Sequence, residues 1–294
     1  MVAVVTGAAG FAGYSLTYEL AEKGYNVYAI VRPGSEHNSR LSGLNVKVIE
    51  LDSSDYHKLP ELIEETCDVF FHLAWSGGRD DFRGQEKNIS QAISTVEVAS
   101  ELKCKRIIIT GSQAEYGVQE GIITEEVLPA PINAYGAAKV AAMHLTKRRA
   151  EQLGIEWIWG RIFSLYGKYE PAGRMLPDLI TKLKNAEEVN LSSCTQYWDY
   201  LNVQDAADAL VSLAEQGNSG EIYNIANGGY RFLKKYVQEI VSIVSPDSSI
   251  HYGAPPKPFI SLKPDVSKIM SHTGWKPSVD FSDGIRNMCK EMLT

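Results

Sequence analysis

The chain has 294 residues, 44% of them hydrophobic and 22% charged, proportions of a soluble globular protein long enough to bury a substantial core. A net charge of −7 argues against a nucleic-acid partner, whose affinity needs clustered Lys and Arg; Lys147-Arg148-Arg149 is the one dense basic run, and a solvated helix face accounts for it. Cys67, Cys104, Cys194 and Cys289 follow no metal or disulfide spacing and read as free thiols in a reducing, cytoplasmic setting; the histidines do not cluster as ligands, so no metal is expected, and neither a signal-peptide pattern nor a bilayer-length apolar run is present.

Val2 to Thr6 is a short apolar strand that runs straight into Gly7-Ala-Ala-Gly10-Phe-Ala-Gly13. Glycines at these spacings let the backbone turn tightly, let a ligand approach the main chain and let the next helix pack close to the strand. Phe11, Leu16 and Leu20 then mark one side of a helix and Glu19, Glu22 and Lys23 another, with Gly24 as its stop and a second strand from Asn26 to Val31. Such a βαβ unit presents free N–H groups and a positive dipole end to a pyrophosphate; a ligand-free turn is the bland alternative.

Further strands are expected at Val46–Leu51, Val69–Leu73, Arg106–Thr110, Trp157–Phe163 and Ile222–Ala226, alternating with helices. This predicts an α/β, Rossmann-type doubly wound parallel sheet, with Val69-Phe70-Phe71 and Ile107-Ile108-Ile109 in its centre. Tyr135-Gly-Ala-Ala-Lys139 puts a phenol and an ammonium on one helix face, where the cation is expected to hold the phenol below its usual pKa of about 10. Tyr230 and Lys234 share that spacing but follow the last clear strand and read as a solvated helix pair, whereas the first pair follows Thr110-Gly111-Ser112 at a strand's carboxyl end. Gly136, Ala137, Ala138, Ala141 and Ala142 are small enough to bring that helix close to the sheet. After Tyr166 the rhythm breaks through Gly167–Pro177, and prolines crowd the C-terminal third. The expected division is a dinucleotide-binding domain at 1–165, with a return segment near 198–226, and a smaller substrate-binding domain from 166–197 and 227–294.

Taken together, Thr6-Gly-Ala-Ala-Gly-Phe-Ala-Gly13, Leu51-Asp52, His72-Leu-Ala74, Asn88, Gly111-Ser112-Gln-Ala-Glu-Tyr-Gly117, Pro131-Ile-Asn-Ala-Tyr135 with Lys139, Arg161-Ile-Phe163, Tyr166-Gly167, Trp198-Asp-Tyr-Leu-Asn-Val-Gln-Asp205 and Gly274-Trp-Lys-Pro277 cover nearly the whole chain. In these it resembles an extended short-chain dehydrogenase/reductase (SDR) of the NAD-dependent epimerase/dehydratase family, whose members act mainly on nucleotide-linked sugars. The resemblance implies catalytic roles for Ser112, Tyr135 and Lys139. It implies a cofactor site of Gly7, Gly10, Phe11, Ala12, Gly13, Arg32, Asp52, Ser53, Leu73 and Ala74 together with Tyr135 and Lys139. It also implies a homodimer built on Gln85–Lys103 and Ala137–Leu153.

Three departures from the family pattern shape the expectation. Gln113-Ala114 stands where dehydratases carry Asp-Glu, so dehydration is disfavoured. Arg32, with Ser35 and Arg40 close behind, ends the second strand where NAD-retaining epimerases carry Asp; an arginine there suits a 2′-phosphate, so NADP(H) is favoured and NAD remains possible. Trp198 replaces the usual diphosphate-binding arginine, leaving Arg79, Arg174 and Lys257 as cations and Phe163 and Trp198 as further substrate-side candidates. The reading is an NADPH-dependent reductase of a keto group on a nucleotide-linked sugar, of the 4-keto-6-deoxy type. The alternatives are a nucleotide-sugar 4-epimerase, a reductase of small non-nucleotide ketones and a non-catalytic dinucleotide sensor.

Overall fold

The computed structural model describes residues 1–291. Seven strands, β1 (Val2–Thr6), β2 (Asn26–Val31), β3 (Lys47–Glu50), β4 (Val69–His72), β5 (Arg106–Ser112), β6 (Glu156–Ile162) and β7 (Ile222–Ile225), form one sheet in the order β7-β6-β5-β4-β1-β2-β3. Every pairing is parallel. This is the doubly wound Rossmann architecture expected from the sequence, and all seven expected strands are in it. Chain order reverses between β1 and β4, so their carboxyl ends frame the crevice where such sheets bind ligands.

The apolar strands are continuous because successive side chains feed opposite faces. Ala3, Val5, Ile108 and Ile158 join one core cluster, whereas Val4, Ile107, Ile109, Trp157 and Trp159 join the other. Helices α1 (Phe11–Glu22) and α5 (Val203–Gln216) cover the first face, and α2 (Phe82–Glu101) and α3 (Ala134–Leu153) the second. A third cluster lies apart from the sheet. It joins Tyr166 and Tyr200 to α4 (Met175–Lys184), α6 (Leu233–Val244) and α8 (Phe281–Glu291), beyond the short α7 (Ser267–Thr273). Tyr200 anchors it, edge-on to Tyr236 at 5.1 Å and stacked with Phe281 at 5.9 Å.

Three expectations are corrected. Cys67 and Cys104 form a disulfide, with Cα atoms 4.4 Å apart, because β4 and β5 start side by side; only Cys194 and Cys289 are free. Tyr230 precedes α6 and packs on Tyr197, while Lys234 lies over Tyr252, so the two are not a pair on one helix face. Ala137 points outward and is exposed; Gly136, Ala138 and Ala142 carry the close packing of α3. Among the described residues no helix is long and apolar enough to cross a membrane, and no group of three or more metal-ligating side chains is found.

Candidate active site

The turn after β1 is shaped by two glycines. Gly7 takes φ +71°, and a Cβ on Gly13 would lie 2.0 Å from the Gly7 carbonyl oxygen, so any side chain there would push α1 off β1. Gly10 caps α1 without a side-chain acceptor, so no side chain satisfies the first-turn N–H groups of the helix. Opposite them, Leu73 N–H donates to the Thr6 carbonyl at 3.3 Å and Ala74 N–H to Thr6 Oγ1 at 3.4 Å. The bare cradle and uncapped helix end fit a dinucleotide's pyrophosphate.

At the far end of the crevice, Asp52 caps the turn beginning at Ser53, accepting from Ser54 N–H at 3.0 Å and Ser54 Oγ at 2.8 Å. Those bonds hold its carboxyl below the usual range, with the Arg32 charge adding to them. Ser53 Oγ accepts from Gln91 Nε2 at 2.6 Å. Arg32 is exposed at the end of β2, whereas Arg40 turns back, donating to the Ala9 carbonyl at 3.0 Å and lying over the Tyr169 ring at 4.4 Å. Ser35 caps the short helix Glu36–Leu41.

Ser112, Tyr135 and Lys139 meet at the carboxyl end of β5. Asn133 caps α3 through Gly136 N–H at 2.8 Å, and a Cβ on Gly136 would strike the Ala114 carbonyl at 2.4 Å, so this end of the helix sits hard against the segment after Ser112. Lys139 is buried, donates to the Thr110 carbonyl at 2.8 Å, and holds its Nζ 3.6 Å from the centre of the Trp75 ring and 5.9 Å from that of Tyr135. Trp75 is anchored by Gln85 at 2.8 Å and meets Tyr135 edge-on at 6.3 Å. Asn88 ties down the same loop, with Nδ2 donating to the Ser76 carbonyl at 2.7 Å.

Burial decides the protonation states here. It pushes Lys139 down to about 7, with Glu115 opposing. It pushes Tyr135 up, opposed by a hydrogen bond from Ser112 and by the charges of Arg79 and Arg174, and reinforced by Glu115. The expectation of a phenol held below its ordinary value by the lysine is therefore corrected: desolvation outweighs every cation, and Lys139 is directed at Thr110 and Trp75. His72 is buried and held neutral, its pKa pushed down to about 3 by burial and by Lys139; Nδ1 pairs with Thr6 Oγ1 at 2.9 Å.

The substrate-side candidates divide. Arg79 and Arg174 are exposed, and the charges of both favour the ionised form of Tyr135; the Arg79 carbonyl also accepts the Tyr135 N–H at 2.8 Å. Phe163 is buried in the first core cluster, 6.1 Å from Tyr116. Trp198 bridges the first and third clusters, with Nε1 buried and unpartnered. Lys257 is exposed. Two acids of the matching motifs tie loops: Asp199 accepts from Asn227 and Gly228 N–H, each at 2.8 Å, and Asp205 from Ser278 and Val279 N–H, each at 3.0 Å.

Sequence reasoning passed over Trp75, quoted Glu115 in a motif without giving it a role, and named Arg40 beside Arg32 without its turn back onto Ala9 and Tyr169. Trp75 directly follows His72-Leu-Ala74 at a strand's carboxyl end, and Ser112-Gln-Ala-Glu115 has capping-box spacing, so both left a readable signal. Arg40 meets Tyr169 only through the fold.

A Rossmann sheet with a glycine turn, and a serine, tyrosine and lysine converging beside it, defines a dinucleotide-dependent enzyme of the SDR type. The chain belongs to the NAD dependent epimerase/dehydratase family, whose model matches residues 3–226. It is similar to CDP-abequose synthase of Salmonella muenchen, at 24% identity over 97% of this chain and 96% of that one. Among solved structures it is similar to UDP-glucose 4-epimerase of Thermotoga maritima with UDP-glucose (TM-score 0.90, 24% identity, 100% and 99% of the two chains). It is also similar to RMD from Pseudomonas aeruginosa complexed with NADPH (TM-score 0.83, 19% identity, all of both chains).

Proposed function

We propose that the protein is an NADPH-dependent reductase of a keto group on a nucleotide-linked sugar, of the 4-keto-6-deoxy type. What supports this reading over its rivals is the exposed Arg32 at the end of β2, where an arginine suits a 2′-phosphate. The glycine turn would hold the pyrophosphate, and Lys139 the ribose hydroxyls. When bound, the nicotinamide supplies the hydride. Tyr135, kept protonated by burial, gives its phenolic proton to the carbonyl oxygen as that oxygen gains charge, and Ser112 Oγ hydrogen-bonds the same oxygen. The exposed Arg79 and Arg174 would receive the diphosphate, with the lobe around α4, α6 and α8 as the substrate domain.

The second reading is a nucleotide-sugar 4-epimerase, favoured by the likeness to the Thermotoga enzyme over the whole chain. Mass spectrometry of dinucleotide released from the denatured protein separates them. An epimerase regenerates its cofactor and retains it, so near-stoichiometric NAD would replace the reductase reading. Sub-stoichiometric NADP(H), followed by NADPH oxidation on adding a 4-keto-6-deoxy nucleotide sugar, is the expected result. We further propose a homodimer formed through the outer faces of α2 and α3.

A further inference from the structure

Glu115 is fully buried, and donors from three places converge on it. Ser112 N–H reaches Oε1 at 2.7 Å, the Trp159 indole N–H reaches the same oxygen at 3.0 Å, and Arg161 Nε reaches Oε2 at 2.7 Å. The fold makes room for this carboxylate: a Cβ on Gly111 would lie 2.4 Å from Glu115 Oε1 and 2.0 Å from Trp159 Nε1. Arg161 is braced in turn, lying 4.4 Å over the Tyr116 ring, whose hydroxyl donates to Asn224 Oδ1 at 2.7 Å.

Stability alone does not explain a buried ion pair, since apolar side chains of equal volume are often as stabilising or more so. What distinguishes this one is its place. It grips the backbone of Ser112 while the Ser112 hydroxyl caps the same turn through Ala114 N–H at 3.2 Å, and its charge falls on both Tyr135 and Lys139. The charged and titratable groups around Lys139 are Tyr135 on its own helix, His72 from β4 and Glu115 after β5, with Arg161 of β6 behind Glu115.

We propose that Glu115 is a positioning residue for the reaction: its clamped carboxylate fixes Ser112 against Tyr135 and sets a negative charge opposite Lys139. The proposal rests on the roles given to Ser112, Tyr135 and Lys139 and is independent of which sugar is the substrate. Without that charge Lys139 loses its proton at a lower pH, so any binding step that needs the ammonium fails earlier as pH rises.

The test uses dinucleotide alone. NADPH and NADH affinities are measured by fluorescence titration from pH 5 to 9 for the wild type, Glu115→Gln, the double variant Glu115→Gln/Arg161→Met and Arg161→Lys. The double variant leaves no buried guanidinium without its partner and guards against a fold lost for that reason. Both Gln variants are expected to lose affinity at a midpoint about one pH unit below the wild type, with Arg161→Lys unmoved. On a turned-over substrate, kcat should fall about 10- to 100-fold with KM nearly constant. Folded Gln variants with the wild-type midpoint, or a wild-type affinity flat with pH, would overturn the role of Glu115. A wild type that binds neither dinucleotide would overturn the functional reading instead.

Discussion

Tyr135 and Lys139 stand one helical turn apart, and burial moves them in opposite directions, the phenol up and the ammonium down to about 7. A protonated phenol beside a serine hydroxyl is set to donate. Tyr135→Phe should therefore fold and bind dinucleotide normally while losing roughly 10²- to 10⁴-fold in turnover; near-normal kcat in steady-state assays would remove Tyr135 from the proton path. Arg32→Asp should turn preference from NADPH toward NADH, and an unchanged ratio of the two affinities would exclude Arg32 from cofactor choice. His72 makes a separate prediction. Its folded pKa of about 3 lies below the unfolded value of about 6.5, so between them only the unfolded chain binds the proton and stability falls as pH drops through that window. From pH 7 to pH 5 the wild type should lose about 2 kcal/mol more than His72→Gln, by denaturant unfolding at each pH. The grouping of Ser112, Tyr135 and Lys139 could be read from strand end and helix spacing. Their protonation states could not, because these depend on Trp75, Thr110 and Glu115 closing around them from three other positions in the chain.

At the scale of elements, the join of β1 to α1 is the most tightly determined. A Cβ on Gly13 meets backbone, which cannot swing aside as a flexible side chain could. Gly13→Ala should lower the melting temperature by several degrees and weaken dinucleotide binding at least tenfold; calorimetry and titration would show it, and wild-type values for both would mean that α1 has room to shift. The strands were legible because each is short, largely apolar and bounded by turn residues; β1 and β2 have the expected ends, and those of the other five differ by a residue or two. β5 runs on to Ser112, paired with Ile162, because the ladder with β6 continues past Thr110. The Cys67–Cys104 bond was not legible, since its partners become neighbours only once β4 and β5 lie side by side. The outward turn of Ala137 is likewise a matter of helix phase, not of residue size.

For the molecule as a whole, α2 and α3 lie together on one face of the sheet, and α3 leaves Leu145 47% exposed. If that face joins two copies, Leu145→Arg should convert a dimer to a monomer in sedimentation equilibrium, and a monomeric wild type would end the dimer proposal. The order of the sheet also bears on how the molecule is made. Ala3 pairs with Val69, Arg106 with Glu156 and Ile222 with Trp159, so no rung of the ladder can be closed by a local hairpin. Each rung must await the closure of a long loop before it is rewarded. Refolding from denaturant should accordingly be slow for the chain's size and lose yield as protein concentration rises, because the apolar edges of β1 and β4 stay open to other chains until their partners arrive.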